Sequence, residues 1–378
     1  MKSSIALDKK FGDGWIATLE YSYAKDINAV YYSNLNLNET NGFQLAGADN
    51  RTRFLTAVAN TNKYYYGQVS STNPNGINLG NAILMSNSSK GYSSTATLKL
   101  QKTFDKLYVS AAYTYSQAKN VATGGSTASS LWSGRPVGNA DPNAANLNYA
   151  DYYQPHRVIA TATYKVAYAK YFTTTVGAIF EAAPAGVFSY VYNGDLNGDG
   201  NTGNDLIYIP KTAADINLVK VGSGGLGTGA STDPRTASQM WTQLNNYINQ
   251  DHYLSFHRGQ YAEANSVVEP FFKNLDLNVT EDISIKTGKA DKDRHTLRIT
   301  VDMINVGNFL NRNWGLKKFY NINNILKYEG LAADGKTPSF SFPYLDATNQ
   351  VPLVNTYTNN TGITSRWQMQ IGFKYLFN

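Results

Sequence analysis

Along much of the chain apolar and polar residues alternate with a period of two, the pattern of strands that show different surroundings to their two faces. Trp15, Ala17, Leu19, Tyr21 and Tyr23 alternate with Thr18, Glu20 and Ser22 after a tight Gly12-Asp13-Gly14 turn, and a vaguer strand holding Ile5 and Leu7 precedes that turn. A second hairpin runs from Ala96, Leu98 and Leu100 through Phe104-Asp105-Lys106 to Leu107, Val109, Ala111, Tyr113 and Tyr115. The third joins Val158, Ala160, Ala162, Tyr164 and Val166 to Phe172, Val176, Ala178 and Phe180. The fourth joins Leu275, Leu277, Val279 and Ile283 to Leu297, Ile299, Val301 and Met303 across a polar turn at 286–293. Glu281 falls in the apolar phase, which a membrane strand tolerates only near the rim. The last strand sets Trp367, Met369, Ile371, Phe373, Tyr375 and Phe377 against Arg366, Gln368, Gln370 and Lys374.

Between the hairpins lie long polar stretches, roughly 25–90, 119–155, 184–270 and 307–364. Loops of that length are unusual in a compact soluble domain, whereas short turns at one end and long loops at the other are what outer-membrane barrels have. The pattern predicts an all-β fold, an antiparallel transmembrane β-barrel that is partial, with about nine or more strands, long extracellular loops and one short loop helix. That helix starts at Asp233-Pro234 and carries Met240, Trp241, Leu244, Tyr247 and Ile248 at helical spacing. Strand extensions are expected in the first long loop, over 29–37 and 83–86. An odd number of strands leaves the first and last starting and ending at opposite sides, so residues 1–378 are expected to be the C-terminal part of a larger barrel, with a further strand ahead of Met1.

Composition agrees with strands and excludes much else. Aromatics make up 13% of the 378 residues, with 28 Tyr, and the mean hydropathy is negative. No apolar run reaches the roughly 18 residues of a membrane helix, but a barrel evades that limit because alternate residues face water. The absence of Cys excludes disulfides, cysteine-ligated zinc and thiol catalysis. A net charge of +6 is scattered, without the basic stripe that nucleic acid requires, so no nucleic-acid partner is expected. Met1 leads directly into strand pattern, with no leader-like apolar segment.

Three segments carry a resemblance. Gly186 to Gly200 reads GVFSYVYNGDLNGDG and closes on Asn204-Asp205-Leu206-Ile207-Tyr208-Ile209-Pro210. Tyr253-Leu254-Ser255-Phe256-His257-Arg258-Gly259-Gln260 is followed by Leu275-Asp276-Leu277, and Asp302 to Asn311 reads DMINVGNFLN with Trp314-Gly315 beyond it. With the terminal strand, they resemble the C-terminal barrel of TonB-dependent outer-membrane receptors of the Oar-like branch. The resemblance implies an outer-membrane location and a barrel of about 22 strands filled by an N-terminal plug. It also implies uptake or surface binding of a substrate, energised by the TonB complex through that plug. Neither a plug, a TonB-contacting segment nor the family's N-terminal domain is found within these residues. Gln370, Gly372, Tyr375 and Phe377 match the terminal signal read by the barrel-assembly machinery, so that machinery and outer-membrane lipid are the expected partners. Two other readings remain: a passive surface or adhesion barrel, and a secreted soluble β-rich binding module.

Candidate chemistry is sparse, and no enzyme is expected. The sequence holds no nucleophile elbow, phosphate loop or dinucleotide turn, and His156, His252, His257 and His295 have no metal-ligand spacing. Asp195, Asn197 and Asp199 stand at alternate positions before Gly200, like the first half of a calcium loop, but position twelve is Leu206 where a bidentate Glu is usual. Asp205 or a carbonyl could substitute, giving a Ca²⁺ site; the alternative is a turn whose Asp, Asn and Gly satisfy one another's backbone. Tyr21, Tyr23, Tyr113, Tyr115 and Phe377 suit membrane-interface girdles. The loop aromatics Tyr64, Tyr65, Tyr66, Trp132, Tyr152, Tyr153 and Trp314 either stack on a captured ligand or pack the loops.

Overall fold

The four hairpins and the terminal strand form one antiparallel meander. The computed structural model describes residues 1–54, 81–122, 125–220, 233–286, 288 and 294–377. Its main sheet runs β1 (Lys2–Phe11), β2 (Trp15–Lys25), β3 (Tyr92–Thr103), β4 (Leu107–Asn120), β5 (His156–Tyr168), β6 (Phe172–Pro184), β7 (Phe271–Lys286), β8 (Arg294–Ile304) and β9 (Gln368–Phe377). Each pairs with the next in sequence order, and the two-residue strand Asn148–Tyr149 adds to the end of β4. The nine-strand expectation therefore stands, and the sheet is open: among the described residues β1 and β9 do not pair.

Register turns the alternation of single strands into two continuous faces. Across one face Leu19, Leu98, Tyr113, Val158 and Ala182 are successive partners. On the same face Val176, Val279, Val301 and Ile371 are successive partners further along the sheet. On the other, Gly177, Asn278, Asp302 and Gln370 align, as do Thr175, Thr280, Thr300 and Gly372. A slip of one residue in any strand would exchange the faces, so the apolar row itself fixes the register.

The buried core lies elsewhere, in the segments between the strands. Its main cluster draws on Tyr190, Tyr192, Leu196, Ile207, Ile209, Met240, Leu244, Tyr247, Leu326 and Phe342, and contains no residue of β1 to β9. In place of one loop helix there are, among the described residues, four α-helices: α1 (Ala128–Ser133), α2 (Ala237–Gln250), α3 (His252–Phe256) and α4 (Val306–Leu310). The shorter three carry too few apolar repeats for a periodic signal. α2 is the expected helix, with Met240, Leu244, Tyr247 and Ile248 buried, but it starts later than Asp233-Pro234 suggested. Thr236 caps it in a capping box with Gln239, while Asp233 is held by Arg235. The expected strand extensions pair with each other, Ala29–Asn34 against Ile83–Ser88.

Candidate functional site

The apolar face of the sheet is left uncovered. Leu98 is 53% exposed, Ile371 54% and Phe373 73%, although the register surrounds them with other apolar side chains. Rings gather at both ends of this face. At the loop end Tyr23 stacks on Tyr92, and His156 lies against Tyr113, Tyr115 and Phe271, with Tyr113 Oη 2.7 Å from His156 Nδ1. At the turn end Trp15 meets Phe104 edge-on, Tyr168 stacks on Phe172, and Tyr375 stacks on His295. From Trp15 to Tyr23 is about eight residues, ~27 Å along the strand, of the order of the ~25 Å apolar band of an outer-membrane barrel. Glu281, an acidic residue on this face, accepts hydrogen bonds from Tyr168 Oη at 3.2 Å and from the Thr174 hydroxyl, close to the turn end.

The opposite face is polar and internally paired. Arg157 donates to Glu181 at 2.8 Å, Arg298 grips Asp282 through two nitrogens at 2.7 and 2.8 Å, and Asn278 Nδ2 donates to Asp302 at 2.6 Å. On β9, Gln370 and Gly372 lie on this side, paired with Asp302 and Thr300, and a Cβ at Gly372 would stand 2.6 Å from Thr300 Oγ1. Tyr375 and Phe377 lie on the apolar face opposite Leu297 and His295. The four residues of the expected assembly signal thus divide between the two faces of an edge strand.

The segments that carry the resemblance are drawn together by contacts that alternation alone could not reveal. Ile209 N donates to Gln260 O at 2.9 Å and Gly259 N to Ile209 O at 2.6 Å, so the stretch ending at Pro210 pairs with the stretch from Tyr253 to Gln260. Asn305, in the left-handed conformation at the start of α4, donates its backbone N–H to Asp276 Oδ1 at 2.8 Å and its Nδ2 to Gly315 O at 2.8 Å. A Cβ at Gly315 would fall 1.8 Å from Asn305 Oδ1, which explains a glycine there.

The Asp195 to Asp205 loop closes on a buried arginine. Arg51 donates to both oxygens of Asp49 at 2.9 Å, to Asp205 Oδ1 at 3.0 Å and to Leu206 O at 2.5 Å, its guanidinium lying between the rings of Tyr192 and Tyr261. Asp205 Oδ2 accepts from Leu196 N at 2.7 Å and Asn197 N at 3.2 Å, so Asp205 anchors the loop and is not poised to complete a calcium set. Burial pushes the Asp205 carboxyl up to about 7, against the pull of Arg51 and with Asp199 and Asp195 adding to the rise; burial raises Asp199 too. Asp199 accepts from Asn197 Nδ2 at 3.0 Å and Asn204 Nδ2 at 3.1 Å. Among the described residues no three His, Asp or Glu side chains form a ready-made metal set.

The loop aromatics divide. Trp132 is buried with Leu37 and Phe54 and donates from Nε1 to Asn143 at 3.1 Å, so of the two readings given for it the ring takes loop packing and not the ligand-facing one. Tyr152 and Tyr153 line a 370 Å³ cavity with Gln154 and Arg157, Tyr153 stacking on Tyr149. Trp314 is 57% exposed on a 690 Å³ cleft with Phe180, Phe271, Lys273 and Lys318. A 540 Å³ cavity beside His252, His257 and Tyr357 gave no sequence signal, because its walls come from segments far apart in the chain. Tyr64, Tyr65 and Tyr66 lie outside the described residues, as do most of the fourth turn and the glycine-rich stretch 222–227. Comparison with family models, curated proteins and solved structures finds no match to this chain.

Proposed function

We propose that this chain is a transmembrane part of an outer-membrane receptor barrel of the TonB-dependent, Oar-like type, whose loop layer captures a substrate outside the membrane. The observation that carries the reading is the uncovered apolar face bounded at both ends by rings. In water, a contiguous exposed patch on this scale is an association hazard. In a bilayer it is the surface that lipid requires, with amphipathic rings at the two interfaces. The polar face, with its paired charges, would line the lumen, and the short turns would face the periplasm.

The long loops hold the packed core and the clefts, so they supply the rigid outer layer on which capture depends. Import itself needs the TonB complex acting through a plug supplied from outside these residues.

Lipid contact is testable with the chain refolded into vesicles whose acyl chains carry bromine, which quenches tryptophan emission at close range. Trp15 and Trp367 lie at the apolar face or its rim and should be quenched, so that a Trp15→Phe, Trp367→Phe variant loses most of the effect. Recovery of the chain as a soluble monomer that does not float with vesicles would refute the membrane reading and favour a secreted binding module.

A further inference from the structure

We propose that the apolar face carries a groove for one lipid with an anionic phosphate headgroup, the head held by Lys273 and Lys318 and an acyl chain lying in a trough of alanines below it. The inference rests on the membrane reading and adds a specific occupant to it. Register builds the trough. In one row across the sheet Leu100 pairs with Ala111, Ala111 with Ala160, Ala160 with Phe180 and Phe180 with Leu275. One row nearer the turns, Ala162 pairs with Ala178. The four alanines leave a hollow of 370 Å³ between Leu100 and Phe180, whereas the next row toward the loops holds Leu98, Tyr113 and Val158. A hollow in a lipid-facing surface gives a hydrocarbon chain contact along its sides as well as its base.

The trough does not end in the sheet. Phe180 and Leu275 also line the 690 Å³ cleft beside Trp314, so hollow and cleft meet at those two side chains. Lys273 stands in the apolar phase of β7, between Phe271 and Leu275, and pairs with Ala182. Phe271 belongs to the ring cluster at the loop end, which sets Lys273 at the level where headgroups meet hydrocarbon. From the Lys273 row to the row of Ala162 and Ala178 is about four residues, ~13 Å along the strand. A molecule with its head in the cleft would thus run its tail toward the membrane interior.

Charge names the head. Among the described residues neither Lys273 nor Lys318 has an ion-pair partner. The acids nearest to Lys273 and its partner strand are engaged on the opposite face: Glu181 binds Arg157, and Asp276 accepts from Asn305 N at 2.8 Å and Asn274 Nδ2 at 2.9 Å. An ammonium is a compact charge that suits phosphate, and basic pockets at membrane level take anionic headgroups. A soluble anion would meet the lysines and leave the trough unfilled. An uncharged lipid would fill the trough and leave the lysines unpaired. A lipid with a phosphate head satisfies both.

The test sets two brominated lipids against each other with the full chain in phosphatidylcholine vesicles. Brominated phosphatidylglycerol or, separately, brominated phosphatidylcholine is added in rising fraction, and the Trp314 signal is read as the difference between the parent and Trp314→Phe. Half-quenching of Trp314 should need about tenfold less of the phosphatidylglycerol, while Trp15, at the turn end, should need equal amounts of the two. Lys273→Gln and Lys318→Gln should each cut the preference about fivefold, and Lys165→Gln, on the polar face, should leave it unchanged. Ala160→Phe, which fills the trough with both lysines in place, should reduce it as well. Equal quenching of Trp314 by the two lipids, with Trp15 and Trp367 quenched, would overturn the groove and leave the membrane reading standing. Quenching of no tryptophan by either lipid would overturn both. A preference lost to inorganic phosphate but not to sodium chloride of equal ionic strength would make the cleft a site for a soluble anion and overturn the lipid proposal.

Discussion

At the scale of the residue, Arg51 joins separate parts of the loop layer through one side chain. Its fork reaches Asp49, Asp205 and the Leu206 carbonyl, residues 2, 154 and 155 positions away, and its face lies within 5.3 Å of two ring centroids. Removing it would strand two buried carboxylates, and breaking a buried pair from one side costs about 3–5 kcal/mol. Arg51→Ala should therefore lower the melting temperature of the loop layer, followed by near-ultraviolet circular dichroism, or prevent its packing. Arg51→Lys should recover only part of the loss, because an ammonium keeps the charge but not the planar fork or the ring stacking. Equal stability of the lysine variant and the parent would show that charge alone matters here. None of this was legible in the sequence: Arg51 sits in a polar stretch with no period, and its partner Asp205 is named only by three-dimensional proximity. Trp132 was left between two readings for the same reason, since a tryptophan in a loop looks the same whether it covers Leu37 and Phe54 or waits for a ligand.

At the scale of the element, the strands were the most legible part of the chain, because each is a local object whose period can be read without its neighbours. All nine, and the short turns described between them, fall where the alternation put them, and even the misfit Glu281 is accommodated by two hydroxyls near the turn end. α2 was visible for the same reason, its start displaced by a cap at Thr236 that competed with Asp233-Pro234. The short helices and the buried cluster escaped notice because they are assembled from pieces too brief to show a period. The two faces of a strand can be tested against each other. Leu98 points to the apolar face and Thr97 to the polar one, adjacent in sequence and opposite in surroundings. A lysine at the membrane midplane costs about 2–4 kcal/mol, falling to almost nothing near the rim. Leu98→Lys should thus lower the urea midpoint in vesicles by that order, while Thr97→Lys, beside the Thr114 hydroxyl at 3.0 Å, should change it little. Equal effects at the two positions would mean that the two faces share one solvent.

At the scale of the whole molecule, what matters is the pair of edges. The sheet begins at β1 and ends at β9, both ten residues long and exposed almost throughout, and they do not meet. An edge in lipid leaves backbone donors and acceptors without water, at several kcal/mol for each group, so a membrane sheet of this kind must be completed by further strands or by another sheet. Closed barrels owe their resistance to detergent to the absence of edges. The 378 residues alone, refolded in mild detergent and run unheated in dodecyl sulfate, should therefore migrate as unfolded chain. Joined to the strands that complete the barrel, they should give a compact band that shifts only on boiling. A heat-sensitive compact monomer from these residues alone would mean that β1 and β9 pair with each other in detergent. The nine strands would then be a whole pore, and the lumen would have to be refilled by the loops that now hold the core.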